Sequence, residues 1–119
     1  MKEGKTLRPG IKLWLEKENA ILGPGTVRLF RAIDATGAVR EACSVCNVSY
    51  SKGWKMLRSA ESEMGVSLVE RKVGGTAGGE ARLTEECREL LQKYERFQKE
   101  MKEEAERRFR KIFFDDECF

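Results

Sequence analysis

The chain has 119 residues, 40% of them hydrophobic and 36% charged, which suits one ordinary domain with a modest core and long solvated helix faces. No run approaches the roughly 18 apolar residues of a membrane span, and residues 1–5 lead into no signal-like apolar stretch, so the expected compartment is the cytoplasm and no membrane partner is expected. The net charge of +3 is compatible with a nucleic-acid partner but too small to demonstrate one, and the absence of histidine removes the commonest general acid–base catalyst.

Residues 11–16, I-K-L-W-L-E, alternate apolar and polar positions with Ile11, Leu13 and Leu15 on one face. That pattern predicts a strand. Glu18-Asn19 supplies a turn and residues 20–22 a short returning strand, before Gly23-Pro24-Gly25 breaks the chain. Thr26 is the expected cap of a first helix that buries Val27, Leu29, Phe30 and Ile33, and Gly37 ends it. A second short helix over residues 39–46 turns Val39, Ala42, Cys43 and Cys46 inward. Asn47 suits a left-handed turn, Val48 an apolar plug, and Ser49 the cap of a third helix from Tyr50 to Met64. Leu57, Ala60 and Met64 form its core face and Gly65 stops it.

A strand over residues 68–73, a glycine-rich tip over 74–80 and a returning strand over 81–83 then make a hairpin. Thr84 caps a last helix that runs without glycine or proline from Glu85 to about Phe113. Its apolar stripe is Leu90, Tyr94, Phe97, Met101, Ala105, Phe109 and Ile112. Roughly 29 helical residues span about 43 Å, longer than so small a core needs. The stripe is therefore expected to face a second copy in a homodimer. The tail, residues 113–119, is apolar and acidic, and its packing is left open.

The fold expected is mainly α with small β-hairpins: a winged helix-turn-helix over residues 1–83, followed by a long dimerisation helix and tail over 84–119. Two short helices that fix a third, with a glycine-tipped hairpin after it, suit insertion of the third helix into a DNA major groove. The expected contacts to double-stranded DNA are Ser49, Tyr50, Ser51, Lys52, Lys55 and Arg58 on that helix, and Arg71, Lys72 and Thr76, with Arg82 beside them, on the wing. Capping serines on an ordinary solvated face explain the same residues without DNA. Trp54 suits either the core or the DNA edge. The glycines lack the lysine-bearing pattern of a nucleotide loop. Cys43 and Cys46 form a C-x-x-C pair, but there is no second pair and no histidine to complete a zinc set. They read as small apolar residues on a buried face, and neither cofactor, metal nor enzymatic activity is expected. A winged module that has lost its DNA affinity and binds protein instead is the alternative.

Val48-Ser49-Tyr50, Trp54, Glu61 to Gly65, Leu68-Val69-Glu70-Arg71, Gly74-Gly75, Gly78-Gly79 and Ala81-Arg82-Leu83-Thr84 together resemble the DNA-binding domain of molybdate-responsive regulators of the ModE type, distant relatives of the LysR-type regulators. The strand over residues 11–16 is also similar to that family. The resemblance implies a homodimer on a pseudo-palindromic operator, the third helix in the major groove and the wing on the backbone. The chain departs from the family pattern at Ala38 (a serine cap), Thr76 (a basic residue), Glu80 and Cys87 (both glycines). The changes at 76 and 80 make the wing less attractive to phosphate. The family's molybdate-binding domains follow its long helix, so no molybdate site is expected among these residues.

Overall fold

The structure, a computed structural model, describes residues 6–72 and 80–114. The elements run β1 (Leu15–Glu16), β2 (Ala20–Leu22), α1 (Pro24–Thr36), α2 (Val39–Val45), α3 (Tyr50–Met64), β3 (Val69–Lys72), β4 (Glu80–Leu83) and α4 (Glu85–Phe113). Each strand pair is a separate antiparallel ribbon. This is a winged helix followed by a long C-terminal helix. Residues 74–79 of the expected wing tip, Thr76 included, and the tail beyond Phe114 lie outside the described residues, while Glu80, expected in the tip, opens β4.

Two boundaries at the N-terminal end differ from expectation. The strand expected over residues 11–16 shrinks to Leu15–Glu16, paired Leu15 with Leu22 and Glu16 with Ala20 across an irregularity. Its alternation does put Leu13 and Leu15 half-buried against the core and Trp14 outward. The Leu13 carbonyl, however, accepts the Tyr94 hydroxyl at 2.6 Å and is satisfied by α4 instead of a neighbouring strand. The first helix starts two residues before Thr26. Pro24 occupies its first turn, where a missing N–H costs nothing, and Gly23 is the cap residue without a side-chain bond.

The remaining caps follow the sequence. Gly37 and Gly65 end α1 and α3 in the left-handed conformation, at φ 79° and 74°. Asn47 takes φ 60° between α2 and α3. The Ser49 hydroxyl accepts the Lys52 N–H at 3.1 Å, and the Thr84 hydroxyl accepts the Cys87 N–H at 3.1 Å while donating to the Ser67 carbonyl at 2.9 Å.

One buried cluster joins the helices and both ribbons, with Leu22, Leu29, Phe30, Ile33, Leu57, Leu68 and Leu91 at its centre. Gly53 is buried where α3 crosses α2, and a Cβ there would fall onto Cys43 Sγ. Met64, expected in the core face, is only half-buried. Cys43, Cys46 and Cys87 are buried free thiols. Burial raises the Cys43 thiol above its ordinary range and pushes Cys87 up to about 12, so both stay protonated at neutral pH. The C-x-x-C pair thus supplies packing surface.

The first three turns of α4 belong to the same core through Cys87, Leu91 and Tyr94. Polar ties reinforce them. Arg31 of α1 donates Nε to Glu95 at 2.8 Å, and Arg88 pairs with Asp34 at 3.2 Å. Beyond Glu95 the helix leaves the body, so the expected stripe divides. Leu90 and Tyr94 pack on the body, whereas Phe97, Met101 and Ile112 are 46%, 37% and 67% exposed.

Two outcomes follow from this packing. Gly53→Ala gains about 1 kcal/mol of helix propensity but overpacks the crossing by ~1–3 kcal/mol, giving a net loss in urea denaturation. In a Cys43→Ala background the same substitution becomes neutral or stabilising, because the sulfur it strikes is gone. The second outcome concerns Glu95. A hydrogen bond from Arg31 holds its carboxyl below the ordinary range, against a smaller opposing effect of burial. A depressed carboxylate contributes stability above its unfolded value and loses it as pH falls through the folded one. With the two side chains 38% and 40% exposed, solvent screening keeps that contribution below ~1 kcal/mol. Glu95→Gln is therefore slightly less stable than the parent at pH 7, and the gap narrows as the pH falls through the depressed folded-state value of Glu95.

Candidate nucleic-acid interface

The rotation of α3 is set by what it buries. Gly53, Leu57 and Ala60 point inward, which leaves Ser51, Lys52, Lys55 and Arg58 exposed on the opposite side. Ser49 is exposed and spends one lone pair on the cap. The first turn of α3 is thus a protruding helix N-terminus, with serine hydroxyls, backbone N–H groups and lysines on one surface, and its partial positive charge favours anions.

Tyr50 and Trp54 are half-buried and meet edge to face, with ring centroids 6.4 Å apart and planes at 87°. Trp54 is therefore both a core flank and part of the outer face. Arg58 and Arg71 lie over its ring with Cζ 5.6 and 4.8 Å from the centroid. The second contact ties β3 of the wing to α3. Glu61 supplies another tie, because its carboxylate accepts the Leu68 and Val69 N–H groups at 2.8 and 3.1 Å. On the far side of the wing, the Ala81 N–H donates to the Gly37 carbonyl at 2.8 Å. The root of the wing is thereby held from both α3 and α1.

Charge divides the expected contact residues into two groups. Among the described residues, Lys52, Lys55, Arg58 and Arg71 face no carboxylate within ion-pair distance, and neither does Arg40 of α2. Lys72 and Arg82 are different. They pair across the strands with Glu80 at 3.8 Å and Glu70 at 3.0 Å. The structure thus brings Ser49, Tyr50, Ser51, Lys52, Lys55, Arg58 and Arg71 to one side of the molecule, and Lys72 is offset by its neighbour.

Arg40 was not among the expected residues. Its guanidinium lies over the Tyr50 ring, with Cζ 4.3 Å from the centroid. Nothing in the sequence marks it, since an arginine ten positions before a tyrosine is unremarkable in a chain so rich in charge. Among the described residues no group of three or more His, Cys, Asp or Glu side chains is placed to hold a metal ion, and no helix is long and apolar enough to cross a membrane.

Residues 25–88, from α1 into the first turn of α4, match the family of bacterial regulatory helix-turn-helix proteins of the lysR family. The chain is 39% identical over 67 residues to the molybdenum transport protein ModE of Herbaspirillum seropedicae, covering 54% of this chain and 25% of that protein. It is 33% identical over 86 residues to the transcriptional regulator ModE of Haemophilus influenzae, covering 71% and 34%. The transcriptional regulator ModE of Yersinia pestis is 31% identical over 72 residues, covering 60% and 27%. The chain thus spans between a quarter and about a third of the length of these relatives. The crossing of α2 and α3, the wing after them and this match have one meaning: the chain belongs to the bacterial regulatory helix-turn-helix proteins of the lysR family, with a helix-turn-helix of the ModE type.

Proposed function

We propose that the chain is a sequence-specific DNA-binding transcriptional regulator, without enzymatic activity, that binds its operator as a homodimer. One observation carries the reading. All five arginines of α4 (Arg88, Arg96, Arg107, Arg108 and Arg110) face a carboxylate, while Arg40, Lys52, Lys55, Arg58 and Arg71 face none among the described residues. A surface that gathers five cations without carboxylate partners around one helix N-terminus is suited to an external polyanion. In this reading the first turn of α3 enters the major groove, with Ser51, Lys52 and Lys55 toward base edges and phosphates, and β3 brings Arg71 to the backbone. Its unit of DNA recognition is residues 1–83, and residues 84–119 pair the two copies.

Dimerisation is inferred from the projecting part of α4. Phe97, Met101, Ala105, Phe109 and Ile112 continue one face beyond the body, and Phe109 also meets Phe113 and Phe114 at centroid distances of 4.7 and 5.4 Å. An isolated helix has no reason to keep such a stripe in water. Pairing two copies along it sets two recognition helices one DNA turn, about 34 Å, or a multiple of it apart.

The Lys72–Glu80 and Arg82–Glu70 pairs favour a second reading, a winged module that binds a protein in place of DNA. Binding measurements separate the two. On a duplex from the region upstream of its own gene, the chain binds at ~50 mM salt, where phosphate contacts are strongest. Replacing both Lys52 and Lys55 by Ala lowers affinity at least about tenfold and reduces the slope of log affinity against log salt by about 2. No binding by the parent would count for the protein-binding module, and unchanged binding by the double variant would remove α3 as the DNA-reading helix. For the dimer, Met101→Glu puts a charge in the proposed seam. Sedimentation then gives a monomer with unchanged melting of the body, and a parent that is already monomeric at tens of micromolar would remove the proposal.

A further inference from the structure

We propose that Arg40 is a further contact to the DNA backbone, seated by Tyr50 at one end of a stacked row that runs through Trp54 to Arg71. The inference rests on the DNA-binding reading and adds to it a residue on α2, outside the recognition helix and the wing.

The row is continuous. Arg40 lies over Tyr50, Tyr50 meets Trp54 edge to face, and Trp54 carries Arg71 on its ring, with Arg58 at a longer distance. It thereby crosses from α2 over α3 to β3 and includes all three elements that face the same side. The rings are half-buried, so their positions are set by the core, while Arg40, Arg58 and Arg71 are exposed.

Two physical features suit this arrangement to phosphate. A guanidinium held over an aromatic ring gains from the ring's negative face and still presents its N–H donors at the edge. Its side chain is already restricted, so less entropy is lost when those donors meet phosphate oxygens. The second feature is charge. Glu41 is the neighbour of Arg40 in sequence, but successive residues on a helix do not face each other. No described carboxylate reaches Arg40. If the row served only to brace the three elements together, uncharged packing would suffice, and three unpaired cations on it would repel one another. A polyanion laid along the row removes that repulsion.

The test is fluorescence anisotropy with a labelled duplex that the parent chain selects from random-sequence DNA, titrated at several salt concentrations. Arg40→Ala is expected to weaken binding about tenfold and to reduce the salt slope by about 1, the signature of one lost phosphate contact. Arg40→Lys keeps the charge and therefore the slope, and recovers part of the affinity. The melting temperature of both variants stays with the parent, because the side chain is exposed. Parent-like affinity and slope in Arg40→Ala, with binding still lost on replacing Lys52 and Lys55, overturns the assignment and leaves the DNA reading standing. A lower melting temperature with an unchanged slope makes Arg40 a strut between α2 and α3, which also overturns it. A parent chain that selects no duplex at ~50 mM salt overturns the DNA reading itself, and the assignment with it.

Discussion

At the crossing of α2 and α3 a buried sulfur sits where a side chain would otherwise stand. Gly53 has no Cβ, and Cys43 fills the space it leaves. That close approach sets how far the two helices can sit from each other, and therefore how far the first turn of α3 protrudes past α2. Protein interiors pack with few voids, so a position of this kind tolerates little change in volume on either side. Arg28 secures the same region from α1 by donating to the Cys46 carbonyl at 3.0 Å, which satisfies a carbonyl at the end of α2. The rest of the outward face inherits its geometry from this crossing. Ser49, Lys52 and Lys55 are presented because Gly53, Leu57 and Ala60 are not.

The wing depends on α3 in a different way. A two-stranded ribbon is marginal by itself. Here the start of β3 is fixed by Glu61 of α3, its outer residue Arg71 by Trp54 of the same helix, and β4 by the end of α1. The wing is thus tied to α3 at its root. A wing held in this way contributes position even though two of its cations are offset by carboxylates. The proposed balance of binding lies with α2, α3 and Arg71, and less with the remainder of the ribbon.

Much of this was legible in the sequence, and the failures have physical causes. Caps are local chemistry, so Gly37, Asn47, Ser49, Gly65 and Thr84 marked element ends correctly. Alternation at residues 11–16 showed which side chains face inward, but alternation says nothing about whether a neighbouring strand exists to take the backbone bonds; only Leu15 and Glu16 find one. Pro24 looked like a breaker because proline is excluded from helix interiors, although the first turn accepts it. The stripe on α4 was correctly periodic. Periodicity defines a face, not what lies against it, and Leu91, omitted from the stripe, is fully buried beside Tyr94. Arg40 was invisible for a related reason. Its distance to Tyr50 is a product of the helix crossing, and no local pattern encodes it.

The division of α4 matters for the proposed dimer. Its first turns are locked to the body by Leu91 and Tyr94, by the Tyr94 bond to Leu13, and by Arg31 and Arg88 reaching Glu95 and Asp34. The projecting turns have no such restraint within one subunit. If two copies join along Phe97, Met101 and Ile112, the orientation of each body relative to the seam is set where α4 leaves it, near Glu95. From there the path to the DNA face is short and made of packed elements: α4 to α1 through Arg31, α1 to α2 through Arg28, and α2 to α3 through Cys43 and Gly53. In the proposed dimer on DNA, half-site spacing is the quantity such a path would control, because a change in tilt at the base of α4 is magnified over the distance to α3. The partly exposed Arg31–Glu95 pair contributes little to stability by itself. Its value in a dimer lies in restricting an angle, since a bidentate guanidinium–carboxylate pair constrains direction as well as distance.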